Sequence, residues 1–148
     1  MVIHVVAVGR VKHAALREAC RDYAARVSRY LRLEIREVRE AGRKRVAAGD
    51  LLNAIPEKAR VVALTRKGRW YSSQEFARLL SGWQRQARDI AIVIGGAHGL
   101  DQEVISRSED QLSLSPMTLP HELARLVLLE QVYRACTILR GEPYHKGK

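Results

Sequence analysis

Hydrophobic residues along this chain follow two alternating periods. Val2–Val8 is a short apolar run closed by Gly9, the pattern of a buried strand. Between Ala14 and Leu31 the period lengthens. Apolar side chains recur at positions 16, 19, 20, 23, 27 and 30, one stripe of a helix, and Arg17, Arg21, Arg26 and Arg29 occupy its other face. Alternation around Leu33 and Ile35 predicts a second strand. A basic loop, Arg43-Lys44-Arg45, and a short helix near Ala47–Ile55 come next, and Val61–Thr65 is a third strand. Ser72 with Glu75 three residues on is a capping-box signature, opening a helix through Phe76, Leu79, Leu80 and Trp83. Ile90–Ile94 is a fourth strand and runs directly into Gly95-Gly96. A short helix is predicted over Gln102–Arg107, and Leu112–Leu119 has strand character. Pro120 suits the first turn of a last helix reaching about Leu139, with Gly141 placed to end it.

Strands alternating with helices predict an α/β fold with a parallel sheet and crossover connections. With no repeat, linker or low-complexity segment, residues 1–148 read as one domain. The last helix is unusual. Leu123, Leu126, Val127, Leu128, Leu129, Val132, Tyr133, Ala135, Cys136, Ile138 and Leu139 point in nearly every direction around it. Two arrangements bury such a helix: a partner subunit on its second side, hence a homodimer, or a central place in the subunit's own core.

Composition adds a partner. Hydrophobic residues make up 47% of the chain, enough for a packed core, and the net charge is +10. Residues 1–60 hold 14 Lys and Arg against 7 Asp and Glu, so most of the excess sits in the first part. That asymmetry points to a polyanion, nucleic acid or an anionic membrane surface. The apolar stretch Leu123–Leu139 is interrupted by Arg125, Glu130, Gln131 and Arg134, too polar to span a bilayer. Cys20 and Cys136 lie on apolar helix faces and read as buried free thiols of a reducing compartment. With a strand at Met1–Val8 in place of a signal peptide, a cytoplasmic location is expected.

Several chemistries are disfavoured by spacing. Gly95-Gly96-Ala97-His98-Gly99 follows a strand and precedes a helix, which lets a ligand approach the backbone, but it is neither a dinucleotide fingerprint nor a phosphate-binding loop. His98, His121 and His145 show no zinc-ligand spacing, so no metal is expected. The terminal Arg140-Gly141-Glu142-Pro143-Tyr144-His145-Lys146 joins an aromatic ring, an imidazole and cations after a rigid helix. Such groups stack on a base and hold phosphates, though a basic tail alone has the same composition.

Four segments together resemble the RlmH (YbeA) family, the 23S rRNA pseudouridine-N(3) methyltransferases of the SPOUT superfamily. They are Val5–Gly9, Ile94–Leu100, the run Leu112–His121, and Glu130-Gln131-Val132-Tyr133-Arg134-Ala135 together with Pro143-Tyr144-His145-Lys146. The likeness covers nearly the whole chain in order. The stretch between Val38 and Val61 is shorter than the family pattern, and the expected loop Arg66-Lys67-Gly68-Arg69 is more charged. The resemblance implies a SPOUT-type sheet flanked by helices with a C-terminal trefoil knot, an obligatory homodimer, and S-adenosylmethionine as cofactor. It implies methyl transfer to ring nitrogen 3 of a pseudouridine in helix 69 of 23S rRNA, on the assembled ribosome.

By the same resemblance, cofactor contacts fall on Leu64 after the third strand, Gly95 after the fourth, and Leu114, Ser115, Pro116, Met117, Thr118 and Leu119. His145 is the expected base, Glu130 a second candidate, and Arg134 a stabiliser of charge on the ring carbonyl oxygens. Glu130 and Arg134 also suit a plain ion pair four residues apart on one helix. Arg17, Arg21, Arg43, Lys44, Arg45, Tyr144 and Lys146 are the expected RNA contacts. The rival readings are a non-enzymatic ribosome- or RNA-binding protein, and a SPOUT methyltransferase acting on another RNA.

Overall fold

The computed structural model describes residues 1–39 and 48–146. Arg43, Lys44 and Arg45 therefore lie outside the described residues. Five strands, β1 (Val2–Val8), β2 (Arg32–Val38), β3 (Arg60–Trp70), β4 (Ile90–Ile94) and β5 (Asp110–Ser113), form one parallel sheet in the order β2-β1-β4-β3-β5. The helices are α1 (Ala14–Val27), α2 (Ala48–Ala54), α3 (Ser73–Gln86), α4 (Gln102–Arg107) and α5 (His121–Leu139).

Both faces of the sheet are covered, which is why β1 and β4 read as continuous apolar runs. Ile3, Val5, Ala7, Ile90, Ile92 and Ile94 pack with residues of α1, α3 and α5 on one face. Val6, Val8, Ala91 and Val93 pack with Leu51 of α2 and Val104 of α4 on the other. Ser72 caps α3 as expected: its Oγ accepts from the Glu75 amide at 3.1 Å and the Glu75 carboxylate accepts from the Ser72 amide at 3.0 Å. Glu122 performs the same service across the fold. The N-cap residue of α1, His13, offers no side-chain cap, and Glu122 Oε1, from the first turn of α5, accepts from the amides of Lys12 (2.9 Å) and His13 (3.1 Å).

Three expectations change and one open choice is narrowed. First, α1 ends at Val27, four residues early. Second, β3 runs on to Trp70, so Leu64 lies inside the strand and Arg66–Arg69 is not a loop. Third, the expected strand over Leu112–Leu119 stops at Ser113. Ser113 Oγ donates to the carbonyl of Ser115 (2.9 Å) and Ser115 Oγ accepts from the amide of Met117 (2.9 Å), a side-chain turn that replaces the ladder. As for the two arrangements left open for the last helix, α5 packs against both α1 and α3 over the sheet. Leu128, Leu129, Val132, Ala135 and Cys136 are buried within the chain, so a central core position explains most of the helix's all-round apolar surface. Gly141 (φ +66°) ends α5 as expected, with its amide on the Ile138 carbonyl and the Glu142 amide on that of Thr137. Cys20 and Cys136 are buried and free. Among the described residues no helix is long and apolar enough to cross a membrane.

Candidate active site

The carboxyl ends of β3 and β4 open into a cavity of about 600 Å³, where parallel sheets bind ligands. Three separate stretches supply its wall: Leu64–Lys67, the turn after β4, and the connection from β5 to α5. Each is shaped by a local requirement. Leu64 and Arg69 both register on Leu112, so the residues between them leave the ladder and bulge. Gly68 makes that possible, since a Cβ there would lie 2.6 Å from the Gln111 carbonyl carbon. Arg66 ties the bulge to the far wall, with Nη1 3.4 Å from Thr118 Oγ1.

Gly95 matters for a different reason from the one its place in the sequence suggests. A Cβ on Gly95 would not project into open ligand space; it would meet the Gly99 carbonyl carbon at 2.6 Å. The turn folds back on itself through the Gly96–Gly99 bridge, and Gly99 takes the left-handed conformation at φ +76°. Leu64, Ile94, Leu100, Ile105, Leu114 and Leu119 give apolar walls, while Thr65, Arg66, Lys67 and Ser115 give polar ones. A cavity of this size, apolar with a few convergent polar groups, fits an adenosyl group carrying a zwitterionic amino-acid tail. Every expected cofactor residue lines it except Pro116.

The expected catalytic residues form a second cluster. Arg134 grips Glu130 Oε2 through Nη2 (2.7 Å) and Nε (3.1 Å), and Tyr144 donates to the same oxygen at 2.8 Å. Arg134 Nη1 lies 3.0 Å from His145 Nδ1. The tail is thus folded back onto α5. Its Tyr144 ring meets Tyr133 edge-on at 4.6 Å, Tyr30 donates to Glu142 Oε2 at 2.6 Å, and Tyr23 lies 3.3 Å from the Tyr144 hydroxyl. Burial, the Tyr23 contact and the bond to Glu130 push the Tyr144 phenol well above its ordinary range, so at neutral pH it is a donor. The hydrogen bond to Glu142, helped by burial, likewise pushes the Tyr30 phenol up to about 12. The ion pair with Glu130 likewise raises the Arg134 guanidinium.

Tyr23 and Tyr30 anchor this tail, yet in the sequence they are indistinguishable from other members of the α1 stripe. Their separation by two helical turns was the available signal. Arg125 was equally hidden. It is 5% exposed, pairs with Glu37 at the end of β2, and donates to the Gly9 carbonyl at 2.8 Å. Of the expected RNA contacts, Arg17 and Arg21 are exposed and border a second cavity of about 600 Å³ together with Arg10. Tyr144 is half-buried and Lys146 exposed.

The two clusters stand apart in one chain. Ala124 lines the cavity and Arg134 lies ten residues further along α5, about 15 Å at 1.5 Å per residue. Among the described residues, none of the tail lines the cavity.

This sheet, with a cavity built from the turn after β4 and the connection into the last helix, is that of a SPOUT methyltransferase. The family model described as "Predicted SPOUT methyltransferase" matches residues 1–145, and the chain belongs to that family. Among its relatives, the ribosomal RNA large subunit methyltransferase H of Anaeromyxobacter sp. (strain K) is 46% identical, covering 99% of this chain and 100% of the relative. The protein of the same name from Burkholderia thailandensis is 40% identical with the same coverage. A solved structure described as a probable methylase family protein from Haemophilus influenzae Rd KW20 superposes with a TM-score of 0.60. It covers 98% of this chain and 70% of that one at 15% identity, a likeness of fold alone. The chain is a methyltransferase dependent on S-adenosylmethionine, which sets aside the reading as a non-enzymatic binding protein.

Proposed function

We propose that this chain, acting as one knotted domain in a cytoplasmic homodimer, methylates ring nitrogen 3 of a pseudouridine in helix 69 of 23S rRNA on the assembled ribosome. The observation that carries the reading is the convergence of three distant stretches, Leu64–Lys67, Gly95–Gly99 and Leu114–Leu119, on one cavity in a chain of this family. The relatives' shared name supports ribosomal RNA as the substrate.

S-adenosylmethionine, when bound, supplies a methyl group already activated by its sulfonium. The chain's own task is then placement. Leu64, Leu114 and Leu119 would exclude water around the adenosyl part, with Thr65 and Ser115 as polar contacts beside it. The tail cluster handles the nucleotide. A guanidinium has no acceptor, so His145 Nδ1 must accept from Arg134, which leaves the imidazole proton on Nε2. His145 therefore presents a donor to a ring carbonyl oxygen, where negative charge gathers as the imide nitrogen gives up its proton. Glu130 is no free base either, because Oε2 already accepts from Arg134 and Tyr144. The imide proton leaves to solvent, and the cluster acts by orientation and charge stabilisation. Because cavity and cluster stand about 15 Å apart along α5, the tail that serves each cavity comes from the other subunit.

Transfer of tritiated methyl from S-adenosylmethionine to ribosomes, isolated subunits and tRNA in parallel tests this. Label confined to 23S rRNA of the assembled ribosome is expected. Label on tRNA alone identifies another RNA as the substrate.

A further inference from the structure

We propose that the bulged end of β3 is a stacking platform for single-stranded RNA, with Trp70 as its base-binding surface and Arg66, Lys67 and Arg69 as its phosphate contacts. The inference rests on the proposed RNA substrate and adds a binding surface to it.

Trp70 is 64% exposed, whereas the chain's second tryptophan, Trp83, is 3% exposed in the core. An indole left in water at the end of a strand contributes little to folding, but its face suits a nucleobase of any sequence. Its neighbours are cationic: Arg66, Lys67 and Arg69 are all exposed, and the Arg69 guanidinium lies over the Tyr71 ring at 4.9 Å from its centroid. Aromatic surface interleaved with cations is the chemistry of single-strand binding, and the group carries no carboxylate between Thr65 and Ser73.

Place and rigidity agree with that chemistry. Trp70 registers on Ser113, the residue before Leu114 of the cavity wall, and Arg66 and Lys67 line the cavity itself. A strand of RNA stacked on Trp70 therefore passes beside the methyl donor's site. The platform is held from below by Gly68 against the Gln111 backbone, by the Ser113 hydroxyl, shared between the Ser115 carbonyl and the Arg66 carbonyl at 3.2 Å, and by Arg66 on Thr118. A ligand finds these groups already arranged, so little ordering is lost on binding.

The test uses the full chain and a labelled oligouridylate decamer, followed by fluorescence anisotropy. Trp70→Ala is expected to weaken binding about tenfold, Trp70→Phe to stay within about threefold of the parent, and a blunt RNA duplex to be insensitive to both. Lys67→Gln with Arg69→Gln is expected to flatten the salt dependence, which Trp70→Ala leaves unchanged. In methyl transfer, Trp70→Ala is expected to raise KM for ribosomes with kcat nearly constant, and calorimetry to give the parent's affinity for S-adenosylmethionine. An unchanged decamer affinity in Trp70→Ala overturns the platform, as does a parent chain that fails to bind the decamer. Burial of Trp70 on concentrating the protein without RNA overturns it in favour of contact between copies. A parent that binds the decamer through Trp70 yet methylates no rRNA leaves the platform standing and removes the proposed reaction.

Discussion

Arg134 donates to His145 at 3.0 Å, and the direction of that bond decides what the imidazole can do. With Nδ1 occupied, His145 has a proton to give from Nε2 and no free lone pair to take one. His145→Ala is expected to lower kcat about a hundredfold, the usual cost of losing one donor aimed at developing charge. The defect should be the same across pH 7 to about 9. Recovery of rate as pH rises, when the imide ionises unaided, would restore the base role that the sequence alone suggested. His145→Gln, which keeps a donor, should recover part of the rate.

Gly95→Val is expected to abolish S-adenosylmethionine binding in a chain that still folds. The side chain collides with the Gly99 backbone, 2.6 Å from where the Cβ must go, so the turn opens and one wall of the cavity is lost. Even Gly95→Ala meets the same backbone atoms and should weaken affinity markedly. Calorimetry with circular dichroism separates the effects, and a folded variant with the parent's affinity would show that the turn does not shape the cofactor site.

The sequence made β1 and β4 legible because strands covered on both faces are apolar almost throughout, His4 being the one exception in these two, and α3 legible because its cap is local. It misled at Arg66–Arg69. Four residues rich in charge look like a loop, and only Gly68's fit against the β5 backbone, a tertiary matter, lets them continue β3 as a bulge. It left α5 undecided, since periodicity reports that a helix is buried all round but not by which neighbours. The residues of the cavity wall were named through the likeness of Leu112–His121 to a known family; nothing in the spacing of Leu64, Gly95 and Leu114 brings them together without the fold. The tail's anchors, Tyr23 and Tyr30, were concealed by being ordinary members of a helical stripe.

Glu122 offers a measurement of stability independent of catalysis. The His13 amide above all, with the Lys12 amide, holds its carboxyl below the usual carboxylate range despite some opposing burial. A carboxylate whose folded pKa is depressed adds stability at pH above its unfolded value, about 4.3, and loses it as pH falls through the folded value. Glu122→Ala is expected to cost about 1 kcal/mol, as for loss of an N-cap. That corresponds to a Tm lower by about 2–4 °C at pH 7. The gap between variant and parent should close as both are taken to acid. Glu122→Gln, which keeps the acceptor, should fall between them; a gap that persists below pH 2 would mean that packing, not the charge, is what the substitution removes.

The last expectation concerns assembly. Packing of α5 between α1 and α3 explains much of its apolar surface, so the case for a homodimer has to rest elsewhere. Two observations carry it. Leu123, Val127, Glu130 and Arg134 follow one another at intervals of three and four along α5 and remain only half-buried in the single chain. The same strip runs between the cavity at Ala124 and the tail cluster at Arg134, which one subunit holds about 15 Å apart. Two copies laid antiparallel along it would bring each tail toward the other's cavity and cover the strip in one step, as a two-fold interface requires. Leu123→Arg with Val127→Arg is therefore expected to convert a dimer to a monomer in sedimentation equilibrium at micromolar concentration. Methyl transfer should fall by orders of magnitude while S-adenosylmethionine still binds. Mixing a Gly95→Val chain with a His145→Ala chain supplies the second arm. If each cavity is served by the partner's tail, the mixed dimer regains one intact site and part of its activity. A parent chain that sediments as a monomer, or a mixture no more active than its components, would return both clusters to a single subunit.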